Sequence, residues 1–340
     1  MAGFLRNAWY VAATPEEVGR QLLQRWIVGE PIVLYRTSAG NPVALEDRCP
    51  HRKAPLSMGK LVGDDIECGY HGLSFDCNGK CVAIPGQTSI PPRLNGRAYP
   101  TVEKYHWVWV WVGDPAKADP AQIPDLHWNT DPAYTPVRGY THVKAHYQLV
   151  VDNLLDLSHE TYLHRTSIGN DAVAHTPAQS RSEGNYVYVE RMMPNTPPPP
   201  LFARVRGFTG NIDRSQKIRF EPPSTIVIDA CGVPAGTNDM DRALRWFVLN
   251  AMTPETATST HYFWGLARCF SHGDKDISAM LGAQIAKVFD EDRNLLEQQQ
   301  MMIDTDPTQR PLLSTNQDGG LVAARRIVDN LMRQESASTH

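Results

Sequence analysis

Nothing in this sequence reads as a membrane span, because no stretch approaches the roughly twenty consecutive apolar residues that a bilayer requires. Its start, Met1 to Tyr10, has no basic segment leading into an apolar run, so a secretory leader is not expected and the cytoplasm is. Positive charge is not in excess either: 33 Lys and Arg stand against 37 Asp and Glu, a formal net charge of -4. The basic footprint of a nucleic-acid binder is therefore missing. Cysteine is sparse, with 6 in 340 residues, and a scattered set in a chain of this size suits a reducing compartment better than a disulfide framework. Gly-x-Gly occurs nowhere, which removes the turn that cradles a dinucleotide pyrophosphate and with it a built-in reductase of Rossmann type. What remains is an ordinary globular composition in a chain longer than one core usually serves, so two domains are expected.

The chemistry concentrates first in Cys49-Pro50-His51-Arg52 and Cys68-Gly69-Tyr70-His71-Gly72. Thiolate and imidazole both bind borderline-soft metals, and two short pairs on separate turns make a four-ligand cage. A structural zinc site is the plain alternative, but zinc fingers usually offer two cysteines as one pair and two histidines as the other. Here each pair holds one Cys and one His, which suits a two-iron cluster in which one iron takes both thiolates and the other both imidazoles. The two pairs resemble the Rieske motif, and Cys49, His51, Cys68 and His71 are the expected ligands of a [2Fe-2S] cluster.

Around these pairs, residues 1 to about 115 carry short alternating runs broken by turn residues, the pattern of a small β domain. Its clearest strand is Trp107 to Val112, with tryptophan expected on one face and valine on the other. A Pro-rich stretch, 116–136, reads as a linker. Beyond it, strands are expected at Tyr186–Val189, Ile226–Ile228 and His261–Trp264. The run Pro194 to Pro200 is expected as a polyproline turn or exposed loop, outside any central strand. A long helix is expected over about Ile277–Ile303 and an amphipathic one near the C-terminus. The fold class is thus α+β: an all-β domain over 1–115 and, over 137–340, an antiparallel sheet with helices.

A second site is expected in the helical segment 146–164, which holds Asp156, His159 and His164. Five residues on a straight helix turn the second histidine about 140° from the first. If both bind one metal, the helix must end, bend or carry a π-bulge between them. On the long helix the apolar stripe runs through Ile285, Val288, Phe289, Leu295 and Leu296. Asp292 falls on that stripe, while Asp290 flanks it and Glu291 points away. A buried carboxylate needs a metal or an ion pair, so Asp292 is either a third ligand or the partner of a core arginine. Two histidines and a carboxylate on one face of a non-haem Fe(II) leave positions open for O2 beside a substrate.

Both motifs, with Arg6–Ala12, Val151–His164, Tyr262–Arg268 and Glu291–Gln300, resemble the Rieske non-haem iron aromatic oxygenases, in particular the oxygenase components of vanillate O-demethylase and related monooxygenases. The resemblance spans essentially the whole chain. It implies a Rieske domain joined to a helix-grip-like catalytic domain, a mononuclear iron on His159, His164 and Asp292, and Asp156 as a bridge between a cluster histidine and an iron histidine. It implies a ring of three chains in which one chain's cluster serves its neighbour's iron, a role for Asn153 near the iron, and a substrate-facing Asn250. Electrons would come from NAD(P)H only through a separate flavin or ferredoxin-type reductase, which Arg52 and Lys53 are placed to meet unless they are merely solvated. The implied reaction is O-demethylation of a vanillate-like methoxylated aromatic acid to formaldehyde and a phenol. N-demethylation, aryl-methyl hydroxylation, ring dihydroxylation and plain Rieske electron carriage stay open, as does which of Arg204, Arg206, Arg219, Arg245 and Arg268 would hold the acid.

Overall fold

The computed structural model describes residues 3–308 and 310–337. Its chain forms two compact units, one running through Ile123 and taking in Thr253–Ala257, the other holding Pro124–Met252 and the described residues from Thr258 on. The break at Ile123 falls inside the Pro-rich stretch 116–136.

In the first unit three antiparallel sheets follow from short alternating segments. One places the strand Trp107–Val112 between Ala8–Ala13 and Thr101–Lys104. All six residues of Trp107–Val112 are buried, because a central strand covered on both sides hides its tryptophan face and its valine face alike. The indole N–H groups of Trp109 and Trp111 still find carbonyl acceptors, on Lys104 at 3.0 Å and Asp114 at 2.9 Å, as buried donors must. The other two sheets have four strands each. Val33, Tyr35, Leu45, Ile66 and Phe75 from them form one core that also contains the Cys49 and Cys68 side chains.

The second unit is built on a seven-stranded sheet with Thr135–Val143 at one edge, followed by Ser259–Arg268, Leu244–Thr256, Thr225–Pro234, Ile212–Glu221, Tyr186–Thr196 and Gln179–Glu183. The three strands expected from sequence lie inside it. Pro194, expected in a turn or loop outside any central strand, is within Tyr186–Thr196. The reason is positional: Gln179–Glu183 pairs only as far as Glu190, so beyond that point the strand has one neighbour, and its register shifts between Met193 and Thr196. An edge with a bulge is where proline is tolerated.

Among the described residues six α-helices accompany the sheet: α1 (Tyr147–Leu155), α2 (Glu160–Leu163), α3 (Asp171–His175), α4 (Pro200–Arg206), α5 (Lys275–Thr305) and α6 (Gly319–Ala337). The segment 146–164 is not one helix. It breaks at Asp156, whose φ of -122 and ψ of 94 are extended, and resumes as a 3-10 turn, Leu157–His159, before α2. The long helix α5 buries Leu281, Ile285, Val288, Phe289, Asp292, Leu296 and Gln300. Leu295, expected on this stripe, is half exposed. At 100° per residue the row 292–296–300 drifts away from it, so Leu295 is left at the rim. Phe289 seats α5 on the sheet through Tyr262 and Trp264, with ring centroids 5.0 and 5.2 Å away.

Candidate metal centres and the cavity between helix and sheet

The two Cys/His pairs sit on loops with one and the same hydrogen-bond frame. Cys49 N–H donates to Ala54 O at 2.8 Å and its carbonyl accepts from Lys53 N at 2.7 Å; Cys68 N–H donates to Leu73 O at 2.8 Å and its carbonyl accepts from Gly72 N at 3.0 Å. In both loops the fourth residue after the cysteine is left-handed, Lys53 at φ 59 and Gly72 at φ 72. Gly72 has a second constraint, because a Cβ there would lie 2.9 Å from Pro85 Cγ. The two thiols are buried and both imidazoles exposed, with the rings of His51 and His71 edge to face at 4.8 Å. Burial, with Cys68 beside it, pushes the Cys49 thiol pKa up. A bound metal reverses that by taking the thiolate. Two sulfurs inside and two imidazoles at the surface fit a cluster with one iron buried and the other near solvent.

The second centre lies in the other unit. The break at Asp156 lets the Asp156 side chain cap the 3-10 turn, accepting from Ser158 N and Oγ, both at 2.9 Å. His159 ends that turn and His164 is the C-cap of α2, so the helix does end between the two histidines' positions, as a shared metal requires. Asp292 comes from the buried stripe of α5. One ligand atom from each of His159, His164 and Asp292 lies within 4.8 Å of the others. Asp292 Oδ1 stands 3.4 Å from His159 Nε2 and 3.0 Å from His164 Nε2. Donors each about 2.1 Å from one ion and at right angles stand about 3 Å apart, so the set accommodates a single metal.

Both rings are locked in the tautomer that leaves Nε2 free. His159 Nδ1 donates to the Asp156 carbonyl at 2.7 Å, and His164 Nδ1 to Glu291 Oε2 at 2.8 Å. Such outer partners are what orient metal-binding histidines. Desolvation lowers the His164 pKa, but the hydrogen bond and charge of Asp292, with Glu291, outweigh it and the net shift is upward. Asn153 Nδ2 donates to Asp292 Oδ1 at 3.1 Å and lies 3.5 Å from His159 Nε2, so it belongs to this group. The His/His/Asp set is compatible with a mononuclear iron.

Several expectations need correction. Glu291 does not point away from the site. Its Cβ lies off the stripe, but the side chain reaches round to His164, a contact that helical-face counting cannot register. The carboxylate of Asp156 is not the group on His159; the Asp156 backbone carbonyl is. Asn250 is fully buried, donates to Ile226 O at 3.1 Å and Val248 O at 3.2 Å, accepts from Tyr262 Oη at 2.7 Å, and is not among the residues lining the cavity beside His159, His164 and Asp292.

That cavity is bounded by His159, His164 and Asp292 and by apolar side chains including Phe202, Trp246, Val248 and Phe289. None of Arg204, Arg206, Arg219, Arg245 and Arg268 lines it. Arg268 is buried but is spent on the carbonyls of Phe270, Ser271 and Asp274, and Arg245 on Asp229. The arginine in the wall is Arg214. A signal for it existed: in Ile212-x-Arg214-x-Gln216-x-Ile218-x-Phe220 two polar residues occupy the inward frame of a strand.

A cluster fold joined to an iron site under an apolar cavity defines an oxygenase component with two metal centres, and similarity to known proteins agrees. Residues 8–103 match the Rieske [2Fe-2S] domain and residues 143–334 the vanillate O-demethylase oxygenase C-terminal domain. The chain is 40% identical over 345 residues to the vanillate O-demethylase oxygenase subunit of Pseudomonas sp. (strain HR199 / DSM 7063), covering 98% of this chain and 96% of that one. It is 37% identical over 345 residues to the iron-sulfur subunit of the toluene-4-sulfonate monooxygenase system of Comamonas testosteroni, covering 99% of each. The crystal structure of dicamba monooxygenase bound to 3,6-dichlorosalicylic acid superposes with a TM-score of 0.93 at 37% identity, covering 99% of this chain and 100% of that one. The chain belongs to the family of Rieske-type monooxygenase oxygenase components that carry the vanillate O-demethylase C-terminal domain.

Proposed function

We propose that this oxygenase component removes the methyl group of a methoxylated aromatic acid of the vanillate type, giving formaldehyde and a phenol. The observation that carries the reading is two locked imidazole Nε2 atoms and one carboxylate at the wall of an apolar cavity lined by Phe202, Trp246 and Phe289. The 40% identity to a vanillate O-demethylase subunit supports the reaction. In this reading His159, His164 and Asp292 hold the iron, Asn153 and Glu291 orient its ligands, and Cys49, His51, Cys68 and His71 hold the cluster in a domain over 1–115, joined through 116–136 to the catalytic domain over 137–340.

Iron held there supplies O2 activation. The protein's own contribution is to fix the ring by its flat walls, Phe202 and Trp246 meeting edge to face at 5.1 Å, and to exclude water so that the methyl group is the nearest oxidisable carbon. The balance consumes one O2, two electrons and two protons per methyl group; one oxygen atom enters the methyl carbon, whose hemiacetal collapses to formaldehyde and the phenol, and the other leaves as water. Two electrons must therefore arrive from NAD(P)H through a separate flavin or ferredoxin-type reductase. We further read the assembly as a ring of three chains in the cytoplasm, with Asp156 between one chain's cluster and the next chain's iron. No helix among the described residues is long and apolar enough to cross a membrane.

The test is to incubate the purified chain with a matched reductase, NADH and vanillate and to measure formaldehyde against substrate consumed. Equimolar formaldehyde is expected. A benzylic alcohol from toluene-4-sulfonate, with no formaldehyde from vanillate, would replace O-demethylation with aryl-methyl hydroxylation.

A further inference from the structure

Apart from the iron ligands, the polar lining of the cavity is Glu160, Arg214 and Gln216. All three are more than nine-tenths buried. Glu160 accepts from Arg214 Nη2 at 2.8 Å and from Gln216 Nε2 at 2.9 and 3.0 Å. Gln216 is turned that way by Arg191, whose Nη1 donates to its Oε1 at 3.3 Å. Arg191 is itself buried, and its ion-pair partner is the part-exposed Asp156, 4.0 Å from it.

The wall therefore presents one guanidinium, that of Arg214, against one buried carboxylate, with Arg191 behind Gln216. A guanidinium has five N–H donors, and Arg214 uses few of them. One bond goes to Glu160, Nη1 reaches only Asn170 Oδ1 at 3.4 Å, and Nε has no acceptor. Buried positive charge with incomplete pairing is costly, and what would complete it is a second oxyanion. The same guanidinium lies 5.2 Å from the Phe202 ring, which meets Trp246 in the same cavity, so an anion site adjoins an aromatic one.

We infer that Arg214, oriented by Glu160 and Gln216, is the specificity determinant that recognises the carboxylate or sulfonate of an aromatic acid. The inference rests on reading this cavity as the substrate site. Glu160 then has a counterbalancing part: it keeps Arg214 paired in the absence of substrate and competes with the substrate's anion for the same fork.

Binding to the iron-loaded protein, measured by calorimetry without reductase, tests this with vanillate, toluene-4-sulfonate and the neutral ring guaiacol. Wild type should prefer both acids to guaiacol. Arg214→Gln should lose about 10- to 100-fold in affinity for the acids, the range of a lost charge-assisted hydrogen bond, while guaiacol changes by less than about threefold. Glu160→Gln should bind the acids at least as tightly as wild type, and acid should raise its melting temperature more than it raises that of wild type. If Arg214→Gln does not fold, Arg214→Lys and Glu160→Gln carry the comparison. Equal losses for acids and guaiacol in both the Arg214 and the Glu160 variants mark a purely structural ion pair and overturn the inference, as does an Arg214→Gln protein that binds acids like wild type. Because no turnover is involved, acid binding through Arg214 without formaldehyde release would sink only the O-demethylase reading.

Discussion

The Nδ1–H of His164 donates to Glu291 Oε2 at 2.8 Å, and that bond helps to turn the other ring nitrogen toward Asp292, 3.0 Å away. Replacing Glu291 with Ala removes the acceptor and frees the ring to rotate. Affinity for the mononuclear iron should drop about 10- to 100-fold, read as iron retained after dialysis against a graded chelator, while the visible spectrum of the cluster stays as in wild type. Glu291→Gln, whose amide oxygen still accepts, should recover part of the loss. Unchanged iron retention in Glu291→Ala would remove Glu291 from the site.

The paired cluster loops make an asymmetric prediction. Gly72→Ala forces a left-handed alanine against Pro85, a conformation that costs about 1–2 kcal/mol before the clash. Cluster content per chain and melting temperature should both fall. Lys53→Gly changes the corresponding residue of the other loop to one for which that conformation is free, and should leave cluster content unchanged.

Asp156 is expected to matter for electron delivery rather than for holding metal. Asp156→Asn keeps an oxygen to cap Ser158 and keeps the backbone carbonyl that orients His159. Both metal centres should load normally, while oxidation of the pre-reduced cluster in a single turnover slows at least about tenfold. An unchanged rate, or a wild-type protein that sediments as a monomer while turning over, would end the inter-chain route.

Arg52 and Lys53 are exposed on the first cluster loop. Reversing both charges should slow reduction by the reductase and flatten its dependence on ionic strength, since rim charges act mainly on association rate. Stopped-flow reduction at several salt concentrations measures both effects; identical slopes would show that the two side chains are only solvated.

Burial first, then the Arg325 charge, hold the His146 imidazole below its ordinary pKa. On acidification the unfolded chain therefore takes up this proton before the folded chain does. The stability tied to neutral His146 is whole above the unfolded value of about 6.5 and declines as pH falls from there toward the folded pKa. The melting temperature should drop as pH falls below about 7, and His146→Asn, which keeps an acceptor for Gln148 N–H, should show a shallower drop. Parallel profiles would assign the effect elsewhere.

What the sequence made legible is what is close in sequence. Cys49 with His51, and Cys68 with His71, each occupy one tight loop, so spacing alone carries their chemistry. Asp292 was legible because it interrupts an apolar helical stripe. The partners that cross between elements were not. Arg191 meets Gln216 because Tyr186–Thr196 and Ile212–Glu221 pair in that register, and register depends on loop lengths and bulges far from either residue. Glu291 escaped because a face-counting rule follows Cβ directions and not the reach of a long side chain. Pro194 sits in a strand because that strand outruns one of its neighbours, which no local pattern announces.

The twin frames around Cys49 and Cys68 bear on the order of assembly. Each cysteine's N–H and C=O are already engaged by its own loop, and the two thiols already belong to a hydrophobic core. Backbone and packing thus share the work of holding the ligands, which small zinc modules leave to the metal. Loading is then expected to draw on loops whose own bonds and packing already favour the ligand positions.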